Sequence, residues 1–194
     1  TLAREQFALF LKAEPNGQNS GEARYRIGEC SYYLRDYSTA IEQLSEYLKT
    51  YPEHSRINWA QLLLGESYVY SEQWAKAETV LNRLVASEKT NPSVVDDARL
   101  SLGIAFEGLR KTPEALEQYR LISDGKHLTA APRAMMRIAA IQFAEEQYQE
   151  AAATYDELLS KYTKSSVVAS ASLGSGKAWF RAKEFEQALS RFRS

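Results

Sequence analysis

The chain has 194 residues, 44% hydrophobic and 25% charged, with 24 Lys and Arg against 25 Asp and Glu. Those proportions exclude a low-hydrophobicity disordered chain. The balanced charge counts against nucleic-acid binding, which usually needs a basic excess on at least one face. The single cysteine, Cys30, excludes an internal disulfide and any multi-thiolate metal site.

Nine glycines and five prolines among abundant Ala, Leu, Glu, Gln and Lys favour helix throughout. No run of about 18 apolar residues appears, so no transmembrane segment is expected, and no secretory leader is visible. The chain starts at Thr1 and reads as a fragment of a longer protein.

Thr1 to about Ala13 reads as the second helix of a truncated repeat. Ala3, Phe7, Phe10 and Leu11 share one helical face, and Pro15-Asn16-Gly17 stops it. The next unit turns at Arg35-Asp36, with Asp36 as N-cap of a helix bearing Tyr37, Ala40, Ile41, Leu44, Tyr47 and Leu48. The second unit carries Leu64, Gly65 and Tyr68, then Trp74, Ala77, Leu81 and Leu84. Its exit, Lys89-Thr90-Asn91-Pro92-Ser93, is one residue longer than the others. In the third, Thr112-Pro113 opens the second helix, and Gly125 is the expected left-handed C-cap. Pro132 starts the fourth unit, and a fifth begins near Ala169.

Two ladders run through these segments. Small residues recur as Ala3, Ala40, Ala77, Ala115, Ala151 and Ala188, in steps of 37, 37, 38, 36 and 37 residues. Gly28, Gly65, Gly103, Ala139 and Gly176 keep the same period. A shared period near 37 predicts a repeat protein, all-α, with ten helices and no strand. The boundaries fall at 1–17, 21–55, 58–93, 96–128, 132–166 and 169–194.

Ile27, Gly28, Tyr37, Ala40, Leu44 and Pro52, with their counterparts in later units, resemble the signature of the tetratricopeptide repeat. The first signature position, often Trp, is Arg24 here. The resemblance implies a solenoid of antiparallel helix pairs wound into a right-handed superhelix, its first helices lining a concave groove. The tails Leu48 to Ser55 and Leu159 to Tyr162 resemble a subgroup of bacterial envelope proteins of the TolA-binding and outer-membrane assembly lipoprotein type. That implies a periplasmic or cell-envelope setting.

Carried over position by position, the groove of the family falls on Tyr25, Glu29, Tyr32 and Tyr33, then Trp59, Leu62, Glu66, Val69 and Tyr70. It continues on Leu100 and Ile104, on Met136 and Phe143, and on Lys177 and Phe180. Alternatively, several of these pack between neighbouring units. Groove acids lie in the first three units and groove bases in the last two. The Lys and Asn clamp by which some relatives hold acidic chaperone tails is absent, its places taken by Tyr25, Glu29 and Glu66.

Little here suggests chemistry. His54 and His127 read as surface-loop histidines and Cys30 as a buried helix cysteine. No metal or cofactor is expected. Gly174-Ser175-Gly176-Lys177 imitates a phosphate loop but lacks its first glycine and final Ser or Thr.

The expected function is non-catalytic: a protein-protein interaction scaffold holding a peptide segment or helix of a partner. One alternative is the substrate-recruiting repeat domain of a larger enzyme. Another is a single-strand RNA reader, against which the charge balance and step lengths count. End-to-end self-association at high concentration is expected from the unprotected ends.

Overall fold

A computed structural model describes residues 2–87, 90–123 and 129–193. Eleven α-helices run through them: α1 (Leu2–Ala13), α2 (Ser20–Tyr33), α3 (Tyr37–Thr50), α4 (Ile57–Tyr70), α5 (Trp74–Val85), α6 (Pro92–Gly108), α7 (Thr112–Ser123), α8 (Ala130–Ala144), α9 (Tyr148–Lys161), α10 (Val168–Arg181) and α11 (Phe185–Arg193). No strand occurs among the described residues. The fold is all-α, as the periodicity predicts. The helix count is eleven rather than ten, because the opening half-repeat and the final pair add three to the eight of the complete units. Gly125 and His127, and the Lys89 end of the long exit, lie outside the described residues.

Two compact units divide the chain, Thr1–Lys111 with α1 to α6 and Thr112–Ser194 with α7 to α11. Within each, every helix packs on its chain neighbour, and first helices of successive repeats also touch: α2 on α4, α4 on α6, α8 on α10.

The glycine ladder explains how closely the paired helices approach. A Cβ built on Gly28 would lie 2.6 Å from Leu44 Cγ, and one on Gly65 would lie 2.4 Å from Leu81 Cδ2. On Gly176 it would meet the Phe192 ring at 2.5 Å. The alanines serve the opposing helix: Ala40, Ala77, Ala115, Ala151 and Ala188 are all buried. Ala3 is exposed, because α1 packs on α2 alone and buries none of its residues completely.

A third ladder, absent from the sequence reading, marks the turns. Arg35, Glu72, Arg110, Glu146 and Lys183 all have positive φ, between 56° and 68°. At each, the first helix closes with paired bonds of the kind Arg35 N–H to Tyr32 O and Asp36 N–H to Ser31 O. These satisfy its last carbonyls. Long charged side chains stand where glycine is usual, so composition gave no warning.

Local details follow from the same physics. Asp36 caps α3 as expected, accepting from Thr39 N–H at 3.2 Å, and pairs with Arg4 of α1 at 2.8 Å. α6 starts at Pro92, inside the stretch read as an exit loop; proline suits a first helical position, where no N–H is needed. α8 begins two residues ahead of Pro132, which is buried in its first turn. His54 is not a free loop histidine. It is half-buried, with Tyr47 Oη 2.8 Å from its Nδ1 and its ring edge-on to Tyr47 and Tyr51. The Arg56 N–H also points at Nδ1, at 3.4 Å. Cys30 is half-buried rather than buried.

Overpacking tests the crossing. Ala77→Leu and Ala151→Leu should each destabilise the fold by ~1–3 kcal/mol, read by denaturant unfolding. Lys49→Ala, on an exposed site, should shift it by less than ~0.5 kcal/mol. Lys111 is unsuitable as that control, because its ammonium pairs with Glu78 at 2.8 Å. Equal midpoints for all three variants would contradict the crossing.

Candidate binding surface

The fifteen expected groove residues divide by burial. Tyr25, Leu62, Val69 and Leu100 are core residues. Tyr25, only 2% exposed, clusters with Leu44 and Tyr47 of the second helix and with Ala60, Leu63 and Leu64 of the next first helix. Tyr25, Leu62 and Leu100 share one repeat position and are all buried, Tyr25 filling the space between neighbouring repeats. They offer no surface to a partner.

The acids are also engaged. Glu29 accepts from Tyr25 Oη at 2.9 Å and from Arg26 at 2.7 Å. Glu66 accepts from Ser101 Oγ at 3.2 Å and is hydrogen-bonded to the Tyr32 hydroxyl. Both carboxylates hold neighbouring side chains in place.

What remains at the surface of the first unit is aromatic. Tyr33 is 73% exposed and Tyr70 53%, with Trp59 also exposed and Ile104 half-buried. Their order comes from rings beneath them. Tyr70 stacks on Tyr37 at 4.9 Å with 12° between planes, and Tyr33 meets the edge of half-buried Tyr32 at 5.3 Å. Tyr32 also touches Tyr37 at 6.0 Å and Tyr70 at 6.2 Å. The sequence reading took Tyr37, the platform, only as a helix-opening signature residue. The starts of α3, α5 and α9 each lie against the end of the next first helix. Trp74 against Gly108 and Tyr148 against Arg181 repeat that contact.

In the second unit, Met136 and Phe143 of α8 are half-buried while Lys177 and Phe180 of α10 are exposed. The first three line a cavity of about 320 Å³ with Ala140, Tyr155, Ser170, Leu173 and Gly174. Tyr155 and Gly174 were missed. Gly174-Ser175-Gly176-Lys177 lies in the interior of α10, and its glycines admit the rings of Tyr155 and Phe192. Its serine bonds to Asp156, which also accepts from Trp179 Nε1 and pairs with Arg191. That explains the motif without a phosphate.

Among the described residues no group of three or more His, Cys, Asp or Glu could hold a metal ion, and no helix is long and apolar enough to cross a membrane.

Paired helices of this length, crossing at small residues every 36 to 38 positions, define the class of α-helical repeat proteins. The chain belongs to the tetratricopeptide repeat family. One pattern of that family matches residues 62–126 and 136–194, and a second matches 22–54. Solved structures agree on the fold. A tetratricopeptide repeat protein from Parabacteroides merdae superposes with a TM-score of 0.73 at 14% identity, over 98% of this chain and 70% of its own. RapI in its apo form gives 0.78 at 15%, over 96% of this chain and 56% of its own. Tetratricopeptide-like repeats of a kinesin light chain from Podosopora anserina give 0.69 at 15%, over 92% and 94%. Among curated proteins, no sequence matches.

The buried phenols make a further prediction. Burial pushes the Tyr25 and Tyr32 hydroxyls well above their ordinary value, with hydrogen-bonded Glu29 and nearby Glu66 adding to it. Burial, with the charge of Glu22, pushes Tyr47 up to about 12 from 10.0. The fold favours the neutral phenol, so this stability is full below pH 10 and is lost as pH rises through the folded value. For Tyr47 the window runs from 10.0 to about 12. The melting temperature should fall across it, and tyrosinate absorbance should rise at higher pH than in the urea-unfolded chain. Coincident absorbance titrations of the two states would contradict this placement of the rings.

Proposed function

We propose that the protein is a non-catalytic interaction scaffold that holds a peptide segment or a helix of a partner on the first-helix faces of its repeats. The observation carrying this reading is the pair Tyr33 and Tyr70, large rings left open to solvent yet ordered by Tyr32 and Tyr37. Aromatic anchors supply most of the energy at protein interfaces. A ring already held in place loses little further freedom on binding. The envelope-type subgroup rests on the tails alone, and their residues have packing roles: Tyr51 and His54 cover Gly21, and Tyr162 packs on the core of the second unit.

The test starts from affinity capture of the partner and continues with calorimetric titration. Tyr33→Ala and Tyr70→Ala should each weaken binding by ~1–3 kcal/mol, with helical signal and melting temperature preserved. Glu46→Ala and Glu157→Ala, on second helices, should leave affinity intact. Unchanged affinity in a folded Tyr33→Ala, Tyr70→Ala double variant would remove these rings from the binding surface.

A further inference from the structure

The first helices of the second unit carry a charge pattern that the rest of that unit lacks. α8 contains Arg133 and Arg137, α10 contains Lys177 and Arg181, and neither contains an acid. The second helices α9 and α11 mix the two signs, with Glu150, Asp156, Glu157 and Glu186 beside Lys161, Arg191 and Arg193. Arg181 is occupied by the Tyr148 hydroxyl at 2.6 Å. Among the described residues, Lys177 and Arg133 have no acidic partner. Arg133, Met136 and Ala140 follow one another along one helical face at steps of three and four.

The same face borders the open cleft of about 320 Å³. Its walls are Met136, Ala140, Phe143 and Leu173, and Lys177 stands at its edge, exposed. That volume is at the lower end of ligand pockets, ~300–1,000 Å³, and suits one branched or aromatic side chain. Tyr155 closes the floor. The phenol carbon bearing its hydroxyl would be 2.7 Å from a Cβ on Gly174, so that end of the ring reaches the lining. The hydroxyl has no hydrogen-bond partner among the described residues, and Tyr155 is otherwise buried. An apolar cavity with a few convergent polar groups is the usual form of a recognition site.

We propose that this cleft recognises an acidic segment of a partner protein, with one large apolar side chain seated in the cavity. A neighbouring carboxylate of the segment pairs with Lys177, and a further acid meets Arg133. The Tyr155 hydroxyl donates to a backbone carbonyl of the segment. Charge of one sign on the face selects the segment and speeds encounter, while the cavity supplies the anchor. This rests on the reading of first-helix faces as binding surfaces, but not on the tyrosines of the first unit.

The test is fluorescence anisotropy of the whole chain with a labelled peptide in which one leucine stands between pairs of glutamates. Saturable binding is expected, weakened at least about tenfold by Lys177→Glu and by Ala140→Phe, which fills the cavity from an exposed position. Lys76→Glu, the same charge change on α5, should alter it by less than about twofold, and so should the Tyr33→Ala, Tyr70→Ala double variant. The last arm separates this inference from the broader proposal, since the tyrosine face can fail while the cleft binds. No saturable binding overturns the inference. Equal binding of a peptide with serine for leucine, or lysines for glutamates, also overturns it. Binding of octanoate but not the peptide would assign the cleft to a small carboxylic acid instead. Concentration-dependent dimerisation abolished by Ala140→Phe would assign it to a second copy.

Discussion

The contact of a glycine on one helix with a large side chain on its partner governs both units. Gly28 admits Leu44, Gly65 admits Leu81 and Gly176 admits Phe192. Glycine inside a helix costs about 1 kcal/mol relative to alanine, so three such positions oppose local helix formation. Close approach offsets that cost, because Leu44 and Leu81 become completely buried against the opposing backbone. The alanine ladder does the same from the other side. Helix pairs built this way still expose apolar edges, and the next repeat covers them: Tyr25 belongs to a cluster that spans two repeats.

The division of labour between helices follows. The second helices α3, α5 and α9 are each packed by the first helices before and after them. First helices keep one face outside this packing, and there the two units differ. In the first unit the face carries ordered tyrosines and acids already bound to neighbours. In the second it carries a cavity, and the two helices α8 and α10 contain bases but no acid of their own. Two chemically distinct surfaces have been placed on one repeated framework.

Much of this was legible in the sequence because period and residue size are one-dimensional properties. The glycine and alanine ladders located the crossings, and Asp36 announced its own capping role. Depth of burial was less legible. Tyr25, Leu62 and Leu100 occupy positions that face a ligand in the family, yet all three are buried, and for Tyr25 the cluster with the neighbouring first helix reveals why. Nor could residue type disclose the five left-handed turns, since Arg35, Glu72, Arg110, Glu146 and Lys183 lack the glycine signature. His54 was misread for a related reason: its partner, Tyr47, comes from a core ladder rather than from the loop. Tyr37 and Tyr155 gained their roles from contacts with other repeats, which spacing within one repeat does not show.

The crossing can be tested by a change whose two effects have opposite signs. Gly65→Ala removes a helix-interior glycine, which by propensity alone stabilises by about 1 kcal/mol. The new methyl would lie 2.4 Å from Leu81 Cδ2, and Leu81 is completely buried. The expected result in denaturant unfolding is a net loss of ~1–3 kcal/mol. A variant more stable than the parent protein would contradict the close approach on which both units rest.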